Sequence, residues 1–209
     1  MTNQRVRHAP TAERQDNRQR LIGAGYEVLA EHGLHAATVA QIARVAGVSP
    51  GLFHYYFASK DDLLLAVAHE SGERFKERMV RELQARRPGR HDIADISVRF
   101  IQEIARREPQ LFRLRYELYA LGLRNPALLP AVADKLAMVR DNISRILGAL
   151  APEADPRRLR ALAAVVLACF DGLALQQVAD PGADLTGGYE MLRDWMDAEL
   201  APGVDTQEM

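Results

Sequence analysis

The residue types that could do chemistry are concentrated in one short polar and aromatic segment, residues 49–60. Within it, residues 54–56 read His-Tyr-Tyr, flanked by Phe53 and Phe57, which are four apart and would share the buried face of a helix. Because three adjacent side chains cannot all face one core, imidazole and hydroxyl groups should remain exposed. Such groups suit contacts to DNA phosphates. The alternative is an aromatic core cluster.

Two short helices and a tight turn would have to position these side chains. Thr38 can cap one helix, with Gln41 three residues later in the capping-box pattern, and Gly47 can adopt the left-handed backbone of the turn. Ser49 can cap the next helix, with Pro50 at its first position, where no N–H is needed. This pattern predicts a helix-turn-helix, which lays its second helix in the major groove.

The segment from Arg20 to Leu65 resembles the DNA-binding domain of TetR-family transcriptional regulators. The resemblance is carried by Thr38, Ile42, Ala43, Ala46, Gly47, Val48, Ser49, Gly51, Phe53, Tyr56, Phe57, Lys60 and Leu63. It implies an all-α homodimer, with three N-terminal helices that read DNA and a larger C-terminal helical domain that dimerises and binds an effector. The exposed face and the resemblance together predict DNA contacts by Thr38, Gln41, Arg44, Ser49, Pro50, Gly51, Leu52, His54, Tyr55, Tyr56 and Lys60.

Three positions depart from the family pattern. Pro50 stands where many members carry a polar or basic residue, and Leu52 where Thr or Ser is common. Leu52 could contact a thymine methyl group, which leaves few polar base contacts. His54 stands where the family often has Tyr, and a protonated imidazole would strengthen a phosphate contact. We therefore predict tighter DNA binding at lower pH.

Charge and composition agree with a DNA-binding protein that has no export signal. Residues 1–60 hold seven Lys or Arg against four acids, whereas the remainder holds 20 against 24, although chance could give this small asymmetry. The single cysteine, Cys169, lies in an apolar run and is expected in the core. The polar N-terminus lacks a signal core, and the longest apolar run, residues 161–170, is too short for a membrane span. These features predict a cytoplasmic location.

Apolar residues recur at helical spacing along most of the chain, and strand patterns are nearly absent, which predicts an all-α fold of about nine helices. We expect a disordered tail at 1–12, a helix-turn-helix domain at 13–60 and a ligand-binding and dimerisation domain at 61–209. The first helix should end at Gly33, and Ser59 should cap a long fourth helix that ends near Ala85. Later helices are predicted from Asp92 to Arg106, Pro109 to Leu123, Ala127 to Leu150, Arg157 to Ala179 and Tyr189 to Leu200, with breaks at 86–90 and 181–188.

The C-terminal region should contain an effector pocket between the fourth helix and the helices of residues 92–179. Its segments 107–128 and 169–176 resemble the BetI-type subgroup of the same family. A choline-type signal would need an aromatic cage, with ordinary core packing of these rings as the alternative. The candidate cage walls are Phe100, Phe112, Tyr116, Tyr119 and Phe170. The pocket residues we predict are His69, Phe100, Glu103, Phe112, Arg115, Tyr116, Tyr119, Phe170 and Gln176.

The helix after Pro156 is apolar on nearly every side between Leu162 and Leu175, so we expect it in a core or an interface. With the last helix it could form a four-helix dimer interface. The interface residues we predict are Leu162, Val166, Leu173, Leu192, Trp195 and Met196. Asp171 in this helix needs a partner, either a local bond beside Gly172 or a polar group of a ligand.

These features together predict a homodimeric repressor that binds a palindromic double-stranded operator and is released by a small-molecule effector. The alternatives within the family are an activator or a regulator without an effector, and outside it an enzyme or a protein–protein adaptor. No phosphate-binding glycine loop or activated nucleophile is evident, and Gly33 separates His32 from His35 as a possible metal pair. We therefore expect no catalytic residues, no metal and no cofactor.

Overall fold

The computed structural model describes residues 11–86 and 92–200. Within those ranges the chain forms nine α-helices and no strands, which confirms the predicted all-α class. The helices are α1 (Thr11–Ala36), α2 (Val39–Ala46), α3 (Pro50–Tyr56), α4 (Lys60–Arg86), α5 (Asp92–Arg107), α6 (Pro109–Arg124), α7 (Leu129–Leu150), α8 (Pro156–Ala179) and α9 (Thr186–Leu200). The predicted tail lies outside the described residues except for its last two positions, which belong to α1. The predicted break after Arg86 also lies outside them.

The chain divides into two compact units, the first ending at Ser71 and the second beginning at Gly72. We predict the domain boundary at residues 60 and 61, whereas the compact units divide within α4. The reason is that Leu63 and Val67, on the first two turns of α4, are buried against Gly25 of α1. A β-carbon on Gly25 would lie 2.8 Å from a methyl carbon of Leu63, so this contact requires glycine.

The first unit is built on the predicted buried face of α1. Leu21, Val28 and Leu29 have almost no solvent exposure, as helical spacing indicates. Gly33 has φ 72° and ψ 168°, so the helical backbone is interrupted there as expected, and one further turn continues to Ala36. Ile42 of α2 is fully buried, and α2 packs on α1.

The second unit is organised around α8, which packs on α5, α6, α7 and α9. Its buried side includes Leu162, Val166, Phe170 and Ala174. By length and composition alone α8 could cross a membrane, but core helices of globular proteins share that property. Here its apolar side chains are divided between the interior of the unit and an exposed face.

Local side-chain caps explain two helix starts that differ from the prediction. α9 begins at Thr186 rather than at Tyr189, because the Asp184 carboxylate accepts a hydrogen bond from the Thr186 N–H over 3.0 Å. α7 begins at Leu129 rather than at Ala127. There the Asn125 side chain accepts from the N–H of residue 127 over 3.1 Å and forms a turn before the helix.

Candidate nucleic-acid interface and ligand cavity

Helix α3 is fixed to the first unit by the side that carries Phe53 and Phe57. Both rings are buried, and their centroids lie 5.7 Å apart. Ser49 caps the helix, since its hydroxyl accepts from the Leu52 N–H over 3.3 Å, and Pro50 occupies the first turn as predicted. The short helix is therefore held rigidly with its opposite side facing outward.

The outward side of α3 carries the polar groups that the sequence places there. His54 is exposed and Tyr55 is 61% exposed, while Tyr56 is half-buried. The Tyr55 and Tyr56 rings pack edge to face, with their centroids 4.9 Å apart. An aromatic core cluster is therefore excluded for His54 and Tyr55. Ser49, Pro50 and Gly51 are also exposed, and Leu52 is half-buried at the same end of the helix.

The predicted capping box at the start of α2 is formed. The Thr38 hydroxyl accepts from the Gln41 N–H over 3.2 Å, and the Gln41 amide oxygen accepts from the Thr38 N–H over 2.8 Å. The Thr38 hydroxyl also donates to that amide oxygen over 2.8 Å. Both side chains are thus engaged in capping, which competes with phosphate contact. Arg44 lies exposed on the last turn of α2.

The turn between α2 and α3 depends on Gly47 and on a residue that the sequence analysis did not single out. Gly47 has φ 65°, the left-handed conformation predicted for it. The guanidinium of Arg20, on α1, donates to the Gly47 carbonyl over 3.2 Å. Arg20 thereby fixes the turn to α1, a role for which the sequence pattern carries no signal.

Lys60 has a different partner from the DNA phosphate expected of it. Its ammonium donates to the carbonyls of Leu34 over 2.8 Å and Ala37 over 2.6 Å, with a longer contact of 3.5 Å to that of His35. The last carbonyls of a helix have no partner within the helix and attract a cation. In this structure Lys60 therefore binds the end of α1, and its contact with phosphate stays a prediction.

A cavity of about 140 Å³ lies inside the second unit, between α4 and the five helices that follow. Most of its lining is aliphatic or aromatic, and all the polar lining residues except Ser97 of α5 lie on α4, α6 and α7. The apolar lining comprises Phe75, Met79, Val80, Ile93, Ile101, Phe112, Met138, Val139, Ile143, Ile146, Leu147, Val166, Leu167, Phe170 and Met196. The polar lining comprises Glu73, Lys76, Ser97, Arg115, Tyr119, Lys135 and Asn142.

Asp171 pairs with Arg115 across α6 and α8, which corrects the expectation of a local bond beside Gly172. The guanidinium donates to the carboxylate over 2.9 Å, and the Tyr119 hydroxyl contacts the other carboxylate oxygen at 3.5 Å. The Tyr116 hydroxyl donates to the Asp171 backbone carbonyl over 2.8 Å. Three side chains of α6 thus converge on one turn of α8.

Burial shifts the ionisation of the polar groups near the cavity. Burial, and then the Asp171 charge, raise the pKa of Tyr119 to about 12 and that of Tyr116 still further. Burial, and then the nearby Arg115, lower the pKa of Lys135 to about 8, although Glu73 opposes this shift. The tyrosines are therefore neutral hydrogen-bonding groups at neutral pH, while Lys135 holds its proton less firmly than a lysine in water.

The aromatic cage considered for a choline-type signal is not formed. The Arg115 guanidinium lies 4.9 Å from the centroid of the Phe112 ring and 5.6 Å from that of Phe75. The Arg78 guanidinium lies 5.9 Å from the Phe100 ring centroid. The protein's own cations thus lie over Phe100 and Phe112, two of the rings that a quaternary ammonium would need.

The structure places four of the predicted pocket residues, Phe112, Arg115, Tyr119 and Phe170, on the cavity wall. The other predicted residues are absent from that wall. Tyr116 donates to the backbone carbonyl of Asp171 on α8, while Phe100 and Glu103 border a separate open groove. Exposed His69 belongs to the first unit, and exposed Gln176 donates to the carbonyl of residue 172 on its own helix.

The contribution of α7 could not be predicted from the sequence, because its apolar residues carry no chemical signal that separates a cavity wall from ordinary core. Lys135 offered a clue, since it lies about one helical turn from Val132, Met138 and Val139 and so shares their apolar side of the helix. Its side chain reaches α4, where a β-carbon on Gly72 would lie 2.7 Å from the ammonium nitrogen.

The predicted dimer residues divide into two sets. Leu162, Val166 and Met196 are buried within the second unit, so they are core residues of one chain, while Leu192 is largely buried yet borders the groove on α8 and α9. Leu173 and Trp195 instead line an open apolar groove on α8 and α9, together with Val165, Cys169 and Met191. A helix that is apolar all round gives no indication of which side faces inward, and this explains why Leu162 and Val166 of α8 face the core instead.

Comparisons with known proteins agree with both units. Residues 21–67 match the sequence family described as bacterial regulatory proteins, tetR family, and residues 88–198 match the tetracyclin repressor-like C-terminal domain. The chain is 26% identical over 189 residues to the HTH-type transcriptional regulator BetI of Rhizobium meliloti (strain 1021), covering 90% of this chain and 91% of that protein. It is 35% identical over 74 residues to the fatty acid metabolism regulator protein of Bacillus subtilis (strain 168), covering 35% and 38%.

Solved structures show the same fold. The multidrug binding protein EbrR, solved in complex with imidazole, superposes with a TM-score of 0.67 at 30% identity, covering 92% of this chain and 98% of that one. The fatty acid degradation regulator FadR from Bacillus halodurans superposes with a TM-score of 0.62 at 23% identity, covering 90% and 96%. The second likeness indicates the fold alone.

Proposed function

The chain belongs to the tetR family of bacterial regulatory proteins and is a DNA-binding transcriptional regulator, and on that premise we propose that it is a homodimeric repressor released by a small molecule. The observation that carries the proposal is the outward side of α3. This helix is capped at one end and fixed by buried rings, yet it presents His54 and Tyr55 to solvent. A rigid helix with such a side suits the major groove.

Specific recognition would require two copies of this short helix. One α3 offers few polar base contacts, because Pro50 and Leu52 occupy its N-terminal end. Two copies related by a twofold axis would read two half-sites about one helical turn apart or more, which implies a palindromic operator. The protein would bind this operator in the bacterial cytoplasm.

The apolar groove on α8 and α9 supports the homodimer. Met191 is 74% exposed and Val165 is 47% exposed, and both lie beside Leu173 and Trp195. Side chains of this kind are normally covered when they form a continuous patch. Pairing α8 and α9 with the same helices of a second copy would cover them and form a four-helix interface.

The cavity of the second unit supports an effector. It is lined mostly by apolar side chains with a smaller number of polar groups, the arrangement typical of small-molecule sites. One structural relative is a multidrug binding protein solved with imidazole, which also favours a small ligand. Helix α4 contributes Leu63 to the core of the first unit and Phe75 to the cavity wall. A ligand that favours one conformation of α4 would therefore change the affinity of the protein for DNA.

A footprint on the intergenic DNA beside its own gene tests the proposal, combined with a reporter measured with and without that gene. We expect a protected palindrome and higher reporter expression when the gene is deleted. The variant Tyr55→Ala should lose the footprint, whereas Leu123→Ala, at an exposed site on α6, should keep it. Lower expression on deletion would indicate an activator, and no footprint even at low salt would reject DNA-dependent regulation of this promoter.

A further inference from the structure

The charged groups on the cavity wall are predominantly positive. Lys76, Arg115 and Lys135 line it against the single carboxylate of Glu73. Adding Asp171, which pairs with Arg115, still leaves three cations against two anions. Because most of the remaining wall is apolar, these charges would be weakly screened and would favour an anionic group.

A cationic ligand is disfavoured on two independent grounds. The positive wall would repel it, and the aromatic faces that could stabilise it already contact Arg115, which lies over the rings of both Phe75 and Phe112. Lys76 pairs with Glu73 and Arg115 pairs with Asp171, whereas Lys135 on α7 is the wall cation whose charged form burial disfavours. An anion there would stabilise an ammonium group that burial otherwise disfavours.

The remaining wall determines the size and shape of the ligand. Its aliphatic side chains from α5, α7 and α8 would contact a hydrocarbon body and offer it few hydrogen-bond partners. The volume of about 140 Å³ is close to the roughly 150 Å³ of an apolar protein cavity that holds benzene. A body of about six carbon atoms therefore fits without a change of shape.

We propose that the effector is a compact apolar carboxylate of about six carbon atoms, with its carboxylate at Lys135 and its hydrocarbon part among the aliphatic side chains. The inference rests on the proposed function, because it names the chemical class of the effector in the same regulator. Lys135 is a binding residue here, and Arg115 mainly orients Asp171 and adds to the positive field.

The test compares three probes by isothermal titration calorimetry with the full-length protein: hexanoate, the neutral hexanamide, and choline. We expect hexanoate to bind at least roughly 10-fold more tightly than either of the other two, because only it makes a charge-assisted bond to the ammonium. In Lys135→Met the preference for hexanoate over hexanamide should disappear. In Arg113→Met, which removes an exposed cation from α6, the preference should remain.

Two variants at Lys135 keep the test decisive. If Lys135→Met does not fold, Lys135→Gln removes the same charge and should show the same loss of preference. The proposal is overturned if hexanamide or choline binds as tightly as hexanoate, if no probe binds, or if the preference survives in the folded Lys135 variant.

An operator-binding assay with each probe separates this inference from the proposed function. Hexanoate that binds without releasing the DNA would support the ligand class and reject release by an effector. DNA release by choline and not by hexanoate would reject the ligand class and support effector release.

Discussion

Arg115 of α6 and Asp171 of α8 form an ion pair of 2.9 Å in which each side chain is only 18% exposed. The pair joins two core helices and lies beside the cavity. Each charged group therefore contacts the other in place of water. Such a pair is costly to break from one side, because the remaining charge stays buried without its partner.

Removing the carboxylate alone should therefore destabilise the protein. We expect Asp171→Asn to lower the free energy of unfolding by about 1–3 kcal/mol, since it leaves the Arg115 guanidinium without its counter-charge. The double variant Arg115→Met, Asp171→Asn should recover part of that loss. A double-mutant cycle from urea denaturation measures the coupling. Additive single and double effects would show that the two residues do not interact energetically.

Gly47 and Gly23 should respond in opposite directions to alanine. Gly47 has φ 65°, and a β-carbon there would lie 2.7 Å from the Arg20 guanidinium, so Gly47→Ala should cost about 1–3 kcal/mol of stability. Gly23 lies within α1 with nothing within 4 Å of an added β-carbon, so Gly23→Ala should gain about 0.5–1 kcal/mol. Thermal unfolding of the two variants beside the wild type checks both signs.

Lys135 should make stability depend on pH in the alkaline range. Its pKa is about 8 in the folded protein and 10.5 in the reference state, so the unfolded chain binds more protons between those values. The free energy of unfolding should therefore rise with pH through that window. The cost of burying the charged Lys135 ammonium is fully present below about pH 8. Lys135→Met removes it and should stabilise the protein by roughly 1–3 kcal/mol at neutral pH, with a gain that shrinks as pH rises.

The measurement is urea denaturation of wild type and Lys135→Met at about pH 7 and about pH 9.5, below the range in which Tyr119 ionises. The exposed control Arg113→Met should give no pH-dependent difference from wild type. Equal stability differences at the two pH values would contradict the assignment of the titration to Lys135.

Operator affinity should increase at low pH through His54. A cation on the exposed side of α3 would add up to about 1 kcal/mol to a surface phosphate contact, which is roughly fivefold in operator affinity. Fluorescence anisotropy with operator DNA at about pH 6 and about pH 8 compares wild type with His54→Gln. The same pH dependence in both proteins would assign the effect to another group.

The exposed groove on α8 and α9 should control the oligomeric state. A carboxylate at Met191 would have to be buried in the dimer, so Met191→Glu should weaken association by at least roughly 10-fold. Leu123→Glu alters another exposed apolar residue, on α6, and should leave the dimer intact. Sedimentation velocity over a concentration series distinguishes the two. A wild type that is monomeric at all concentrations would reject the homodimer.

The helix-turn-helix could be predicted closely because its signals are local. Thr38, Gly47 and Ser49 act on hydrogen bonds within four residues of themselves, and each has the predicted role. The cavity could not be predicted as well, since it depends on which side of each helix faces inward. The wrong assignment of Val166 to the dimer interface, while Val165 was passed over, shows this limit.

Long-range polar contacts were the least predictable part of the structure. Asp171 finds Arg115 from a position 56 residues away, and Lys60 finds the Leu34 carbonyl from 26 residues away. A carboxylate or an ammonium in a sequence shows that a partner is needed, but it does not identify the partner. Only the packing of helices decides which of several equivalent charged residues comes within reach.

The ammonium of Lys60 on the last carbonyls of α1 has a consequence for the kinetics of recognition. Gly47 precedes α3 and Lys60 follows it. The Lys60 contact and the bond from Arg20 to the Gly47 carbonyl therefore connect α1 to the chain on both sides of α3. The DNA-reading surface is thus preorganised, and little conformational entropy remains to be lost on contact with DNA. The rate of association should therefore be set by electrostatic attraction between protein and DNA, and it should decrease as salt is added. No ordering step should follow the first contact.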